Sequence, residues 1–121
     1  MRFLTHNTLK CPAKDVNRGY PLRIEIVKME VRESECNAEF IRHILPSLDW
    51  IGVVSAAESV GMPVPTEFDP AYLQDQLFVQ AMHRLLLDLH IIDGFLICPE
   101  SGRRFEIKDG MPNMMLSETE V

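Results

Sequence analysis

Apolar residues alternate with charged ones at Leu22, Ile24 and Ile26, with Arg23 and Glu25 between them, the period-two pattern of a half-buried strand. The phase then slips, with Met29 and Val31 apolar, and a bulge near Val27-Lys28 accounts for the slip. Ahead of this strand, Arg2 to Leu4 suits a second, short strand, Thr8 to Asn17 reads as a loop, and Gly19-Tyr20-Pro21 marks a turn. Beyond it the spacing lengthens to that of a helix. Asn37 is a good N-cap, and Phe40, Ile41, Ile44 and Leu45 follow it. Pro46 ends that helix or starts the next, and Ser47 can cap a second one carrying Trp50, Ile51, Val54 and Ala57, stopped by Gly61.

Pro63 and Pro65 make residues 62–67 a linker, and Asp69-Pro70 reads as a cap followed by proline at the first helical position. From there to His90 the pattern predicts one short and one long helix. Leu77, Ala81, Leu85 and Leu89 recur every four residues, with Phe78, Met82 and Leu86 beside them. The period then changes. Asp93-Gly94 is a turn signal, Phe95 to Cys98 a strand, Pro99 to Gly102 a tight turn, and Arg103 to Ile107 a second strand. Asp109-Gly110 marks another turn, and Pro112 to Leu116 is a short apolar segment read as the last strand.

The order strand, helices, strands predicts an α+β fold in a single domain, 1–121. A small β module is built from both ends of the chain, residues 1–36 and 91–121, with a helical module, 37–90, inserted between them. A chain of 121 residues can bury a core without staples.

Charge and composition narrow the function. No uncharged run exceeds eight residues, whereas a membrane-spanning helix needs about 20 apolar ones. The first seven residues, Met1 to Asn7, are too short and polar for a secretory signal, so the cytoplasm and nucleus are the expected compartments. The net charge of −6 opposes direct binding to a nucleic acid backbone, which depends on clustered Lys and Arg. Arg103-Arg104 is a local basic spot, read as a solvated turn. Three cysteines, at 11, 36 and 98, do not make a disulfide framework.

Motifs for catalysis are lacking. His83 and His90 are seven apart, not the three or four that lets two ligands on one helix clamp a metal. Ser101 lies in a Pro-Glu-Ser-Gly turn rather than a nucleophile elbow, and there is no glycine-rich phosphate loop. Residues 98–102 have the shape of a zinc knuckle, C-x-x-C-G, in which Ser101 replaces the second cysteine. A serine hydroxyl is a poor substitute for a thiolate, and with Cys11 and Cys98 alone zinc is not expected. The segment Gly110 to Leu116 carries three methionines and a leucine. Methionine suits adaptable binding surfaces, and a short apolar strand at a sheet edge is a template for another chain, although some of these residues must serve the core.

Several of these stretches together resemble one family. Met1-Arg2-Phe3-Leu4-Thr5-His6-Asn7, Gly19-Tyr20-Pro21-Leu22, Met82-His83-Arg84-Leu85-Leu86-Leu87, Cys98-Pro99-Glu100-Ser101-Gly102-Arg103 and Gly110-Met111-Pro112-Asn113-Met114-Met115-Leu116-Ser117-Glu118 look, in order, like the eukaryotic multifunctional methyltransferase subunits. The resemblance implies a non-catalytic activating and stabilising subunit that forms heterodimers with class I methyltransferases of tRNA, 18S rRNA and a translation termination factor. S-adenosylmethionine would be bound by the partner enzyme and no cofactor by this chain. Some members hold zinc with four cysteines. Cys11 and Cys98 match two of those positions, and Ser101 occupies another.

The resemblance also implies that the β module docks on the enzyme, with the C-terminal strand pairing to an edge of its sheet. On physical and family grounds together, the expected contact residues are Phe3, Leu4, Pro112, Asn113, Met114, Met115 and Leu116. Strand alternation would set Met114 and Leu116 on one face and Met115 on the other. The competing reading is a free-standing zinc-knuckle-like RNA-binding module, which the negative charge and the missing ligands disfavour.

Overall fold

The computed structural model describes residues 1–12, 16 and 19–115. Leu116, included in the expected contact surface, lies outside the described residues. Four antiparallel strands form one sheet: β1 (Arg23–Val31), β2 (Leu89–Ile97), β3 (Arg104–Lys108) and β4 (Met111–Pro112), in the order β1-β2-β3-β4. The helices α1 (Phe3–His6), α2 (Ala38–Ile44), α3 (Trp50–Ser59) and α4 (Gln76–His83) complete an α+β fold.

The strand elements follow the alternation closely in β1. Ile24 and Ile26 are half-buried between exposed Arg23 and Glu25, and the pairing with β2 slips between Ile26 and Lys28 and again between Lys28 and Met29. The bulge therefore falls where the change of phase put it. The Pro99–Gly102 turn is closed by the Gly102 N–H donating to the Cys98 carbonyl at 2.9 Å, with Gly102 at φ 75. Asp109 and Gly110, at φ 53 and 79, reverse the chain from β3 into β4.

Side-chain caps set the helix starts. The Asn37 side chain accepts from Phe40 N at 3.1 Å. Asp49, not Ser47, caps α3, accepting from Ile51 N at 3.1 Å, because a short 3-10 turn over Leu45–Ser47 first accommodates Pro46. Asp69 caps a 3-10 turn over Pro70–Gln74, and Asp75 caps α4 through Leu77 N and Phe78 N. Gly61, at φ 70, follows the end of α3. The proline-containing linker is tied down by the Trp50 indole N–H, which donates to the Pro65 carbonyl at 2.8 Å.

Four expectations give way to the packing. Residues 3–6 are helical rather than a strand, because Phe3 and His6 on one side of that turn are both fully buried; only Arg2 makes an isolated bridge, to His90. The long helix ends sooner: α4 runs into a π-helical turn over Arg84–Asp88, and β2 begins at Leu89, so His83 and His90 do not share a helix. Its buried stripe is Val79, Met82, His83, Leu85 and Leu86, while Leu77 is 76% exposed. Asp93-Gly94 is no turn; β2 passes straight through it, and a Cβ at Gly94 would collide with the Glu25 carbonyl across the sheet.

The core lies between the sheet and the helices. Its largest fully buried members include Phe3 from α1, Ile41 from α2, Met82 from α4, and Ile91, Leu96 and Ile107 from the strands. Leu22 and Ile91 join the same cluster as Val53 and Ala57 of α3, which packs against β1. One cluster unites the elements, which fixes the sheet edges relative to the helices.

Candidate docking site

The sheet edge after the Asp109-Gly110 turn is built in steps. Asp109 N donates to the Asp93 carboxylate at 3.3 Å, and Gly110 N donates to the Ile92 carbonyl at 2.8 Å, which holds the turn against β2. Met111 and Pro112 then pair with Lys108 and Ile107. Pro112 has no N–H to offer, in keeping with an edge position. Asn113 N still reaches the Glu106 carbonyl at 2.9 Å, but the Asn113 side chain accepts from Met115 N at 3.0 Å and turns the chain.

That turn corrects the expected alternation. The last strand is two residues long, and Met114 and Met115 lie beyond it. Met114 packs half-buried against the core, whereas Met115 is 83% and Met111 69% exposed. An open groove of about 490 Å³ runs past Glu106, Met111, Pro112, Asn113 and Met115. Leu4 is half-buried. Phe3 is fully buried among core side chains, so its ring is not available to a partner in this conformation. Met111, absent from the expected contact residues, belongs with Met115 by exposure; its membership of the methionine-rich segment was the signal for it.

The cysteine site keeps the outline of a knuckle. Cys11 and Cys98 are both buried thiols that form no disulfide, and Cys36 is exposed. Ser101 N donates to Cys98 Sγ at 3.4 Å, and the Ser101 hydroxyl accepts from Arg103 N at 3.3 Å. Burial works against ionisation of Cys98, but hydrogen bonds from the Ser101 hydroxyl, the amides of Ser101 and Glu100 and the Cys11 thiol carry it below its ordinary value. Four sulfur or imidazole ligands would be required for structural zinc. Among the described residues no group of three or more His, Cys, Asp or Glu could hold a metal ion, so the donors described there fall short of a structural zinc set.

One polar cluster was not legible in advance. The π-helical turn brings Asp88 within 3.6 Å of His83 Nδ1, and the Ser34 hydroxyl donates to Asp88 at 2.7 Å. The three residue types are those of a hydrolase triad, but the order is wrong for one. The serine bonds to the carboxylate rather than to the imidazole, which leaves it without a base. His83 is 3% and Asp88 6% exposed, and the cluster instead ties the loop after β1 to the end of the helix.

The basic spot is not a turn. Arg104 lies in β3, pairs with Glu25 at 2.9 Å and stacks 4.3 Å over the Phe95 ring, while Arg103 is half-buried. No described helix is long and apolar enough to cross a membrane.

Comparison with known proteins agrees with this architecture. The chain is similar to "Multifunctional methyltransferase subunit TRM112 homolog A" of Arabidopsis thaliana, with 44% identity over 100% of both chains. It is 38% identical to "Multifunctional methyltransferase subunit TRM112-like protein" of Mus musculus, over 100% of this chain and 98% of that one. It is 32% identical to "Multifunctional methyltransferase subunit TRM112" of Saccharomyces cerevisiae, over 96% of each. Its fold matches a chain in the solved "Structure of E. cuniculi Mtq2-Trm112 complex", described as responsible for methylation of the eRF1 translation termination factor, with a TM-score of 0.61 over 95% of both chains at 16% identity. The family described as Trm112p-like protein matches residues 2–110, and with relatives of this identity along the full chain, this protein belongs to that family.

Proposed function

We propose that this protein is a non-catalytic activating and stabilising subunit of class I, S-adenosylmethionine-dependent methyltransferases acting on tRNA, 18S rRNA and a translation termination factor, in the cytoplasm and nucleus. The observation that carries the reading is the sheet edge at β4. Met111, within the two-residue strand, and Met115, beyond it, stand exposed, and among the described residues that strand pairs with β3 alone. Family membership gives the edge its partner class, since the relatives are named methyltransferase subunits.

Strand addition works through main-chain hydrogen bonds, so one edge can serve enzymes of different sequence. Exposed methionines add an apolar contact that adapts to each partner. In this reading the contact surface is Leu4, Pro112, Asn113, Met114 and Met115, extended by Met111, with Phe3 supporting it from the core. Leu116 remains part of the proposed surface on sequence grounds.

Activation follows from linkage. Binding to the folded enzyme alone stabilises it by about 2.7 kcal/mol when the subunit is at 100 times its dissociation constant. If docking orders the enzyme's cofactor pocket, the same coupling raises its affinity for S-adenosylmethionine. The cofactor then belongs to the enzyme, and this chain holds neither cofactor nor zinc.

Co-expression with a class I methyltransferase, followed by calorimetric titration with S-adenosylmethionine, tests the reading. The heterodimer is expected to bind the cofactor and the isolated subunit to give no heat. Saturable micromolar binding by the subunit alone, or no recoverable complex with any such enzyme, would overturn it.

A further inference from the structure

Two core thiols take no part in the docking edge. Cys11 lies in the segment after α1 and Cys98 directly after β2, and both belong to the core cluster. Their sulfurs meet, with the Cys11 thiol hydrogen-bonded to Cys98. Both backbones are pinned. Cys11 N donates to the Gly19 carbonyl at 2.9 Å, Cys98 N donates to the Arg103 carbonyl at 2.8 Å, and the Cys98 carbonyl accepts from Gly102 N at 2.9 Å. The Ser101 amide also donates to the Cys98 sulfur, at 3.4 Å.

We propose that Cys11 and Cys98 form a redox modification site whose substrate is a hydroperoxide, and that the two thiols close into a reversible disulfide. A thiol oxidised to sulfenic acid condenses with a second thiol within reach, and redox-sensing cysteines stand beside such a resolving partner. A buried cysteine by itself is inert. Here each buried thiol has the other, held at hydrogen-bonding range by two pinned stretches of backbone. In a reducing compartment a bond of this kind is transient.

Cys11 is 7% and Cys98 0% exposed, so the peroxide meets Cys11 first. Cys11 Sγ attacks one peroxide oxygen and the O–O bond breaks. The other oxygen leaves as an alcohol, or as water from hydrogen peroxide, taking up the thiol proton. Cys11 is thereby oxidised to sulfenic acid and the peroxide is reduced. Cys98 Sγ then attacks the Cys11 sulfur: the S–S bond forms, the S–O bond breaks, and the hydroxyl leaves as water with the Cys98 proton. Two thiols and one hydroperoxide give one disulfide, one alcohol or water, and one further water. A dithiol reductant reverses the bond by thiol–disulfide exchange. The bond would join the segment after α1 to the turn between β2 and β3, far apart in sequence, so closing it restricts the unfolded chain and stabilises the fold.

Cys36 is exposed and can pair between chains, so the test uses the full chain with Cys36→Ser. A small excess of hydrogen peroxide should lower its mass by about 2 Da, and a peptide map without reductant should join the Cys11 and Cys98 peptides. The melting temperature should rise by about 5 °C or more, and dithiothreitol should reverse both the mass and the melting change. With Cys98→Ala added, Cys11 should stop at sulfenic acid, which dimedone traps, with no loss of mass. Should that variant fail to fold, the mass and the map of the chain with both core cysteines still decide the matter. A chain whose mass does not change, or which gains about 32 Da as sulfinic acid at either cysteine in place of the 2 Da loss, overturns the proposal.

Discussion

His6 Nε2 lies 2.6 Å from the Leu22 carbonyl oxygen, while its Nδ1 is buried with no hydrogen-bond partner among the described residues. A carbonyl can only accept, so Nε2 carries the proton and Nδ1 is a bare lone pair. Protonating Nδ1 would place a cation in the core. Burial accordingly pushes the His6 pKa below 6.5, partly opposed by the hydrogen bond to Leu22. The unfolded imidazole takes up its proton near 6.5 and the folded one only at lower pH. This stabilisation is therefore complete above about 6.5 and is lost as pH falls from there through the folded-state value, at up to about 1.4 kcal/mol per pH unit. His90, lowered by burial and by Arg32 and Arg2, acts in the same direction from a more exposed position. Urea unfolding at pH 8 to 5 should show the loss, and His6→Gln, which keeps a donor towards Leu22, should flatten the curve. Parallel curves for the two proteins would mean that the buried imidazole does not set the acid response.

Gly52 sits in α3 where a side chain would collide with the loop before β1. An added Cβ falls on the Tyr20 hydroxyl and within 2.8 Å of Asn7 Nδ2. Those groups are engaged: Tyr20 donates to the Asn7 carbonyl at 2.9 Å, and the Asn7 side chain bonds both Asp49 N and Asp49 O at the helix start. Alanine inside a helix usually gains about 1 kcal/mol over glycine. Here Gly52→Ala is expected to lose about 1–3 kcal/mol through overpacking. Tyr20→Phe in the same chain should recover part of the loss by removing the oxygen. Chemical denaturation of the two single variants and the double one measures it, and a stabilising Gly52→Ala would refute the close approach.

Zinc content follows from the donor set at Cys11 and Cys98. Two thiols with a serine in the third position fall short of four ligands. Protein purified without chelator should contain well under one zinc per chain, and its melting temperature should not change when chelator is added. About one equivalent by elemental analysis would sink this assignment.

Local chemistry made much of the fold legible. The slip after Ile26, the caps at Asn37 and Asp69 and the Asp109-Gly110 turn are signals that act within a few residues, and each appears in place. The misreadings share a cause, which is that one signal has two physical sources. Asp93-Gly94 looks like a turn, but Gly94 answers to the Glu25 carbonyl pressed against it from β1. Leu77 fits a helical stripe yet is mostly exposed, because packing against α2 selects the face carrying Val79 and Met82. Phe3 is apolar and near a chain end, which suits a docking strand and a core helix equally; only tertiary packing separates them. At the docking site, composition marked the methionine-rich segment, but only packing separates Met114, set against the core, from exposed Met111 and Met115.

Met111, Met114 and Met115 should therefore separate docking from folding. Met115 is 83% and Met111 69% exposed, so replacing either with Lys removes almost no core contact and should change subunit stability by less than about 0.5 kcal/mol. In a complex the same change would bury or repel a charge at an apolar contact, at a cost of about 2 kcal/mol or more, a loss of about 30-fold in affinity. Met114 packs half-buried against the core, and Met114→Lys should weaken the subunit itself. Three measurements read the difference: soluble heterodimer recovered on co-expression with a methyltransferase, circular dichroism of each free variant, and thermal melting. Met115→Lys and Met111→Lys should fold like the parent chain and at least one should lose the heterodimer, while Met114→Lys should melt earlier. If both exposed-site variants fold and still yield full heterodimer, while Trp50→Ala or Leu77→Lys abolishes it from an equally folded subunit, the contact lies on the helices and not on the β4 edge.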